Sequence, residues 1–293
     1  MNLTFCSTDA RAPPSSMRSA RLQSQTCPLK ARLKTISRLQ LQTNQIMASP
    51  SPAKDKFNQW AEGINNAAPG DIRWNQWDCE VQLALSEFNQ HLQGVANYVP
   101  PDWRFIKSML WVESGAGNEQ WRIKPMQIGV AGDPGLKAFL SGEEGGELIL
   151  PPLWRGRLTM DSARTMPAHN IRAGIGYLLM RMAYFEYQEV PSSDPAILET
   201  SVKKGDSLSR IAQQQGTTVG MLQRMNANSA VLQLGQKLIF RKASIQRVIT
   251  GWRPLTSQLA LTRYNGEGDP NYARKLDHAM AVVRAGKEVT CAP

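Results

Sequence analysis

Between Glu199 and Ala243 the chain changes character, and that change constrains the fold more than any other feature. On either side, apolar residues recur at helical spacing. Inside, Ser201 and Val202 begin a short strand pattern, and Gly205, Asp206 and Ser207 form a turn that caps a helix starting near Leu208. Leu208, Ile211 and Ala212 stand at i, i+3 and i+4, one face of a helix. Gly216, Thr217 and Thr218 end that helix and start another, with Val219, Leu222 and Met225 on one face. Asn226 to Gly235 reads as a loop and Gln236 to Phe240 as a second strand. A strand–helix–helix–strand unit is thus an island in a helical chain with like flanks. One inserted α+β domain accounts for this better than domains in series. The expected division is a tail over 1–50, a helical domain over 51–198 and 244–293, and the island over 199–243.

The flanks show how the helical part is built. Asp55 to His91 reads as helix interrupted by the Pro69-Gly70 turn. Pro100-Pro101-Asp102 starts a new element, with Asp102 as N-cap for Trp103 to Glu113. There Phe105, Ile106, Met109, Leu110 and Val112 make one apolar face, and Glu113 sits where the helix meets Ser114-Gly115-Ala116-Gly117. A carboxyl group is therefore expected where a buried helix opens into a loop. Residues 114–168, rich in glycine and proline, read as loops over a helical scaffold. Asn170 to Glu189 reads as a long central helix, Pro191 to Pro195 as a linker, and helical periodicity resumes at Ile245.

The formal net charge is +10, unevenly placed: Arg11, Arg18, Arg21, Lys30, Arg32, Lys34 and Arg38 face only Asp9 in the first 46 residues. The globular part has no basic run interleaved with aromatics, so nucleic acid is not an expected partner. A mildly basic surface suits an anionic polymer. The tail is poor in acids, lacks the apolar stretch of about 7–15 residues of a secretory signal, and is expected to be disordered; Met47 is an alternative start. No apolar run approaches the length of a membrane-spanning helix. Cys6, Cys27, Cys79 and Cys291 lack the spacing of a metal knuckle or redox dithiol. Cys79 and Cys291 stand near the two ends of the globular region. Domain ends often lie close together, so these two either form a disulfide, in a protein that works outside the cytosol, or remain free thiols.

Over its whole length the island resembles a LysM module, in Val202 to Ala212, Gly216-Thr217-Thr218, Leu222, Asn226 and Leu234 to Leu238. The resemblance implies binding of N-acetylglucosamine polymers, including peptidoglycan and chitin. It places a groove between the loop carrying Gly205, Asp206, Ser207 and Leu208 and the loop after Asn226. Four flanking segments resemble the lytic transglycosylase and goose-type lysozyme group: Glu113-Ser114-Gly115, Pro125-Met126-Gln127-Ile128-Gly129, Asn170-Ile171 through Gly174 to Tyr177-Leu178, and Tyr264-Asn265-Gly266 with Tyr272-Ala273. Each is weak alone; their order, with the last beyond the island, is the signal. The expected fold is mainly α, a lysozyme-like catalytic domain interrupted by a small α+β (βααβ) LysM domain.

By this resemblance Glu113 is the single catalytic acid and base of a peptidoglycan lytic transglycosylase, which cleaves the bond between N-acetylmuramic acid and N-acetylglucosamine and forms a 1,6-anhydro ring. No metal or cofactor is implied. Ser114 is expected to hydrogen-bond near the acid, Met126 and Gln127 to line a sugar subsite, Tyr264 to approach Glu113, and Asn265 to shape the cleft wall. The chain departs from the pattern: 133–159 is long and glycine-rich, and Met126 lacks a preceding glycine-leucine. A hydrolytic muramidase needs a second carboxylate, for which Glu119, Asp133, Glu143, Glu144 and Glu147 are candidates. A non-catalytic wall-binding or tail adaptor is the reading of another class. The wall lies in the periplasm or outside the cell, yet no export signal is visible; phage or secretion machinery would reconcile the two.

Overall fold

Helix α1 (Lys56–Ala67) opens the part of the chain that the computed structural model describes, residues 55–287 and 291. The basic tail and Met47 lie outside the described residues. After a 3₁₀ turn at Ile72–Asn75, α2 (Asp78–Leu92) and α3 (Trp103–Glu113) follow. Asp102 caps α3 as expected, its carboxylate accepting from the Arg104 N–H. Three short helices then appear where loops were expected, α4 (Gly135–Ser141), α5 (Gly146–Ile149) and α6 (Met160–Thr165), and after Met166 the long α7 (Pro167–Met182) follows. Each of α4 to α6 is too short to show a helical period in sequence, so turn signals dominate this stretch.

The core of the helical part gathers α2, α3, α7 and the last helix, α11 (Tyr272–Ala285), with α10 (Ser257–Ala260) beside it. Helix α7 is buried on nearly every side, and its glycines mark where neighbours enter: a Cβ on Gly176 would stand 2.1 Å from the Phe139 ring, and one on Gly174 2.7 Å from Met126 Cβ. Buried charges are paired. Lys107 donates to Asp78 and Asn75, both at 2.7 Å, tying α3 to α2. Arg172 of α7 pairs with Glu80 and Glu87 of α2 and stacks on Trp154. Cys79 on α2 and Cys291 form a disulfide, with Cα atoms 5.4 Å apart.

The central helix is shorter than expected. It stops at Met182, and Ala183–Pro191 is strand β1, paired antiparallel with β4 (Ala243–Trp252). The expected helical stretches Ala183 to Glu189 and Ile245 to Trp252 are therefore corrected to strands. Aromatic and β-branched residues favour extended backbone, but the partner strand lies more than fifty residues away, beyond any local pattern. Within this ribbon's span sit β2 (Leu198–Ser201), α8 (Leu208–Gln215), α9 (Val219–Met225) and β3 (Lys237–Phe240), with β2 and β3 antiparallel. Strand β2 ends, rather than begins, at Ser201. This βααβ unit has its own core of Val202, Ile211, Leu222, Leu238 and Phe240. The molecule is mainly helical, with this small α+β region as its exception. The described residues make one compact unit. Among the described residues, no helix is long and apolar enough to cross a membrane.

Candidate functional site

Glu113 is the last residue of α3 because the next two cannot continue the helix. Gly115 has φ +67°, a left-handed conformation that glycine adopts without strain, and a Cβ there would press the Trp74 ring at 3.3 Å. The Ser114 hydroxyl donates to Leu110 O and, at 2.9 Å, to Pro125 O. Ser114 thus does not bond the acid; it fastens the end of α3 to the start of the methionine–glutamine segment.

That segment is held at its backbone from two further sides. Asn170, fully buried at the start of α7, accepts from Met126 N–H and donates to Ile128 O and Ala163 O. Tyr264, in a π-helical turn at Leu261–Asn265, donates its hydroxyl to Met126 O at 2.8 Å. Gln127 adopts φ +52°, unusual for a side chain with a Cβ, and its amide donates to Lys124 O. Unusual backbone of this kind persists where surrounding structure over-determines it, often beside functional sites.

These elements enclose a cavity of about 260 Å³. Glu113, Met126, Gln127, Tyr264 and Asn265 all line it; Ser114 does not. Four further residues join them: Ile128, Val130, Tyr177 and Asp133. Tyr177 lies against Tyr264 with ring centroids 5.6 Å apart. The Asp133 carboxylate is oriented by two backbone N–H groups, of Gly129 at 2.8 Å and Gly135 at 2.7 Å. The other acidic candidates lie elsewhere: Glu144 pairs with Arg181 and Glu147 with Arg247, while Glu119 and Glu143 are exposed.

The hydroxyl that reaches Glu113 belongs to Tyr272, not Tyr264. Tyr272 opens α11, is buried, and donates to Glu113 Oε1 at 2.7 Å. Sequence reading placed Tyr272 in the fourth segment without a role; its spacing of eight residues from Tyr264 carries no period that singles it out. Part of the Glu113 side chain meets the cavity, but its carboxyl is densely surrounded. Its pKa is raised to about 7: burial pushes it up most, the Tyr272 hydrogen bond pulls it down, and the charges of Asp133 and Asp269 push it up. Burial, with the negative charge of Glu113, holds both Tyr264 and Tyr272 well above the ordinary tyrosine range, so both remain donors. A carboxyl poised near neutrality, with a fixed donor on one oxygen, can both give and take a proton.

In the βααβ region the expected residues are anchored by scaffold bonds. Gly205 has φ +86° and its carbonyl accepts from Arg210. Asp206 closes the turn by accepting from Lys203 N–H, so it is Ser207, accepting from Arg210 N–H, that caps α8. Leu208 packs on the small core. Asn226 uses its whole amide: it donates to Leu222 O and Ile239 O and accepts from Ile239 N–H, pinning β3 to the end of α9. Among the described residues no group of three or more His, Cys, Asp or Glu side chains could hold a metal ion.

Residues 201–241 match the family model of the LysM domain. A LysM domain suggests peptidoglycan binding and, with it, association with the cell wall. No curated protein and no solved structure matches the chain. No catalytic family is identified for the helical flanks.

Proposed function

We propose that this chain, holding peptidoglycan through its LysM domain, cleaves the glycan as a lytic transglycosylase with Glu113 as acid and then base. The observation that carries the catalytic part is a buried carboxyl with a pKa of about 7, opening into a cavity shared with Met126, Gln127, Tyr264 and Asn265. Protonated Glu113 donates to the glycosidic oxygen as the bond from muramic acid C1 breaks. The carboxylate then takes the proton of the muramic acid 6-hydroxyl, whose oxygen bonds to C1 and closes the 1,6-anhydro ring. The glutamate ends protonated, as it began, so neither metal nor cofactor enters. Tyr272 on Oε1 leaves Oε2 to carry the proton. Met126 and Gln127 line the sugar subsite, Tyr264 and Asn265 its wall, and Ser114 holds the segment in place. On the LysM side, glycan lies between the turn at Gly205 to Leu208 and the loop after Asn226. The helical domain is the stretches 51–198 and 244–293, with 199–243 inserted. The site of action is the periplasm or cell exterior, reached through phage or secretion machinery, and a disulfide fits an oxidising compartment.

Hydrolysis is the second reading, favoured by Asp133. It lines the same cavity, and its carboxylate is oriented by two N–H groups, as a water-positioning base requires. Digestion of purified sacculi by the full chain and by Glu113→Gln, with products identified by mass spectrometry, separates the readings. Anhydromuropeptides from wild type alone are expected. Reducing muropeptides that vanish in Asp133→Asn would establish the muramidase. Retained binding with no product from any form would leave a wall-binding adaptor.

A further inference from the structure

A binding module that serves only as an anchor needs no more than a flexible tether, which raises local concentration without fixing geometry. The LysM region is mounted differently. Strand β1 continues α7 without a break, and β4 returns the chain, paired from Ala183–Trp252 at the base to Pro191–Ala243 at the tip. At about 3.3 Å per residue this ribbon is about 30 Å long. A lone two-stranded ribbon is marginal in water, but here both ends are clamped.

At the middle of the ribbon, opposite Tyr187, Arg247 of β4 donates to Gly142 O at 2.7 Å and Glu143 O at 2.8 Å of the helical part and pairs with Glu147. Toward the helical end, the Phe185 ring fills the place of a Cβ on Gly145. Arg253 donates to Ala183 O at 2.7 Å and covers the Tyr184 ring at 3.9 Å. At the LysM end, Glu189 of β1 accepts from the hydroxyl of Thr218, the N-cap of α9, and pairs with Arg224 of the same helix. Ser192 N–H donates to Lys242 O at 2.8 Å, and Ala243 N–H to Gly216 O. The junction is thus closed by groups from both strands, α8's end and α9.

We propose that the ribbon is a ruler: it holds the LysM grip at one distance and orientation from the Glu113 cavity, so that a gripped glycan strand is cut at a set number of sugars from the grip. This rests on the cleavage reading above. Glu189 is the positioning residue, since one carboxylate joins the ribbon to α9 at two points. It lies outside the cavity and outside the LysM turn assigned to glycan, so its loss leaves both intact.

The test uses the full chain in three forms: wild type, Glu189→Ala, and a decoupled form with Gly-Ser segments inserted after Ser193 and after Arg241. Backbone ¹⁵N relaxation reads the mount directly. LysM and helical-body amides of wild type should share one rotational correlation time, and the decoupled form should show a shorter one for LysM. Glycan fragments from partial sacculus digestion, sized by chromatography, read the ruler. Wild type should give a narrow length distribution, and both variants a broad one, with binding to N-acetylglucosamine oligomers unchanged. Independent tumbling of LysM in wild type, or the same length distribution in all three forms, overturns the proposal. Absence of fragments from wild type overturns the cleavage reading, while the relaxation measurement still decides whether the mount is rigid.

Discussion

At Glu113, a carboxyl held protonated near neutral pH works against stability. Its ordinary pKa is 4.5, and in the fold it rises to about 7. Below pH 4.5 the group is neutral folded or unfolded and costs nothing. Between the two values the folded form keeps a proton that the unfolded chain releases, so stability falls as pH rises. Above about 7 the full cost is present, on the order of 2–3 kcal/mol after allowing for the part of the side chain that meets solvent. Glu113→Gln removes the charge and keeps an oxygen for Tyr272. The variant is therefore expected to melt several degrees above wild type at pH 8, at about 2–4 °C per kcal/mol for this size, and at the same temperature near pH 4. Equal melting temperatures at pH 8 would show that the carboxyl is not desolvated.

At the scale of elements, α7 shows why propensity alone misjudges a helix. Replacing a helical glycine by alanine gains about 1 kcal/mol in backbone terms. At exposed Gly63 of α1 a Cβ meets nothing within 4 Å, so Gly63→Ala should raise stability by up to about that amount. At Gly176 the added carbon would stand 2.1 Å from the Phe139 ring, which is 1% exposed and cannot withdraw. Overpacking of this kind costs about 1–3 kcal/mol and outweighs the propensity gain. Gly176→Ala is expected to lower the denaturation midpoint while Gly63→Ala raises it, and a urea titration of both reads the opposite signs. Asn170 makes the complementary case: one buried amide makes two bonds to the cavity segment and a third to Ala163 O of α6, and so ties α7 to both.

For the whole molecule, the link between Cys79 and Cys291 closes the helical part on itself across a sequence separation of 212. Such a loop restricts the unfolded chain, and loss of a native disulfide typically costs about 2–5 kcal/mol. Thermal unfolding with and without reductant should show that loss in wild type and no further change in Cys79→Ser, whose untreated melting temperature should match that of reduced wild type. The same closure holds Cys291, which follows α11, the helix that brings Tyr272 to Glu113, against α2.

Much of this was open to sequence reading where the signal is local. Asp102 capping α3, Glu113 at the helix end, and the two LysM helices follow from spacing and caps within one or two turns of chain. The glycines of α7 and the pairing of Cys79 with Cys291 were visible as residues, but which neighbours they meet is a tertiary matter. The ribbon escaped because Tyr184 to Val190 has a partner only beyond the LysM region, and β pairing over such a distance leaves no local period. Tyr272 in place of Tyr264 on the carboxyl, Ser114 on Pro125, and Asp133 facing the same cavity were decided when α3, α7 and α11 packed. Residue chemistry and local caps belong to the sequence; which proton donor meets which carboxyl depends on contacts between distant helices that only the packed core sets.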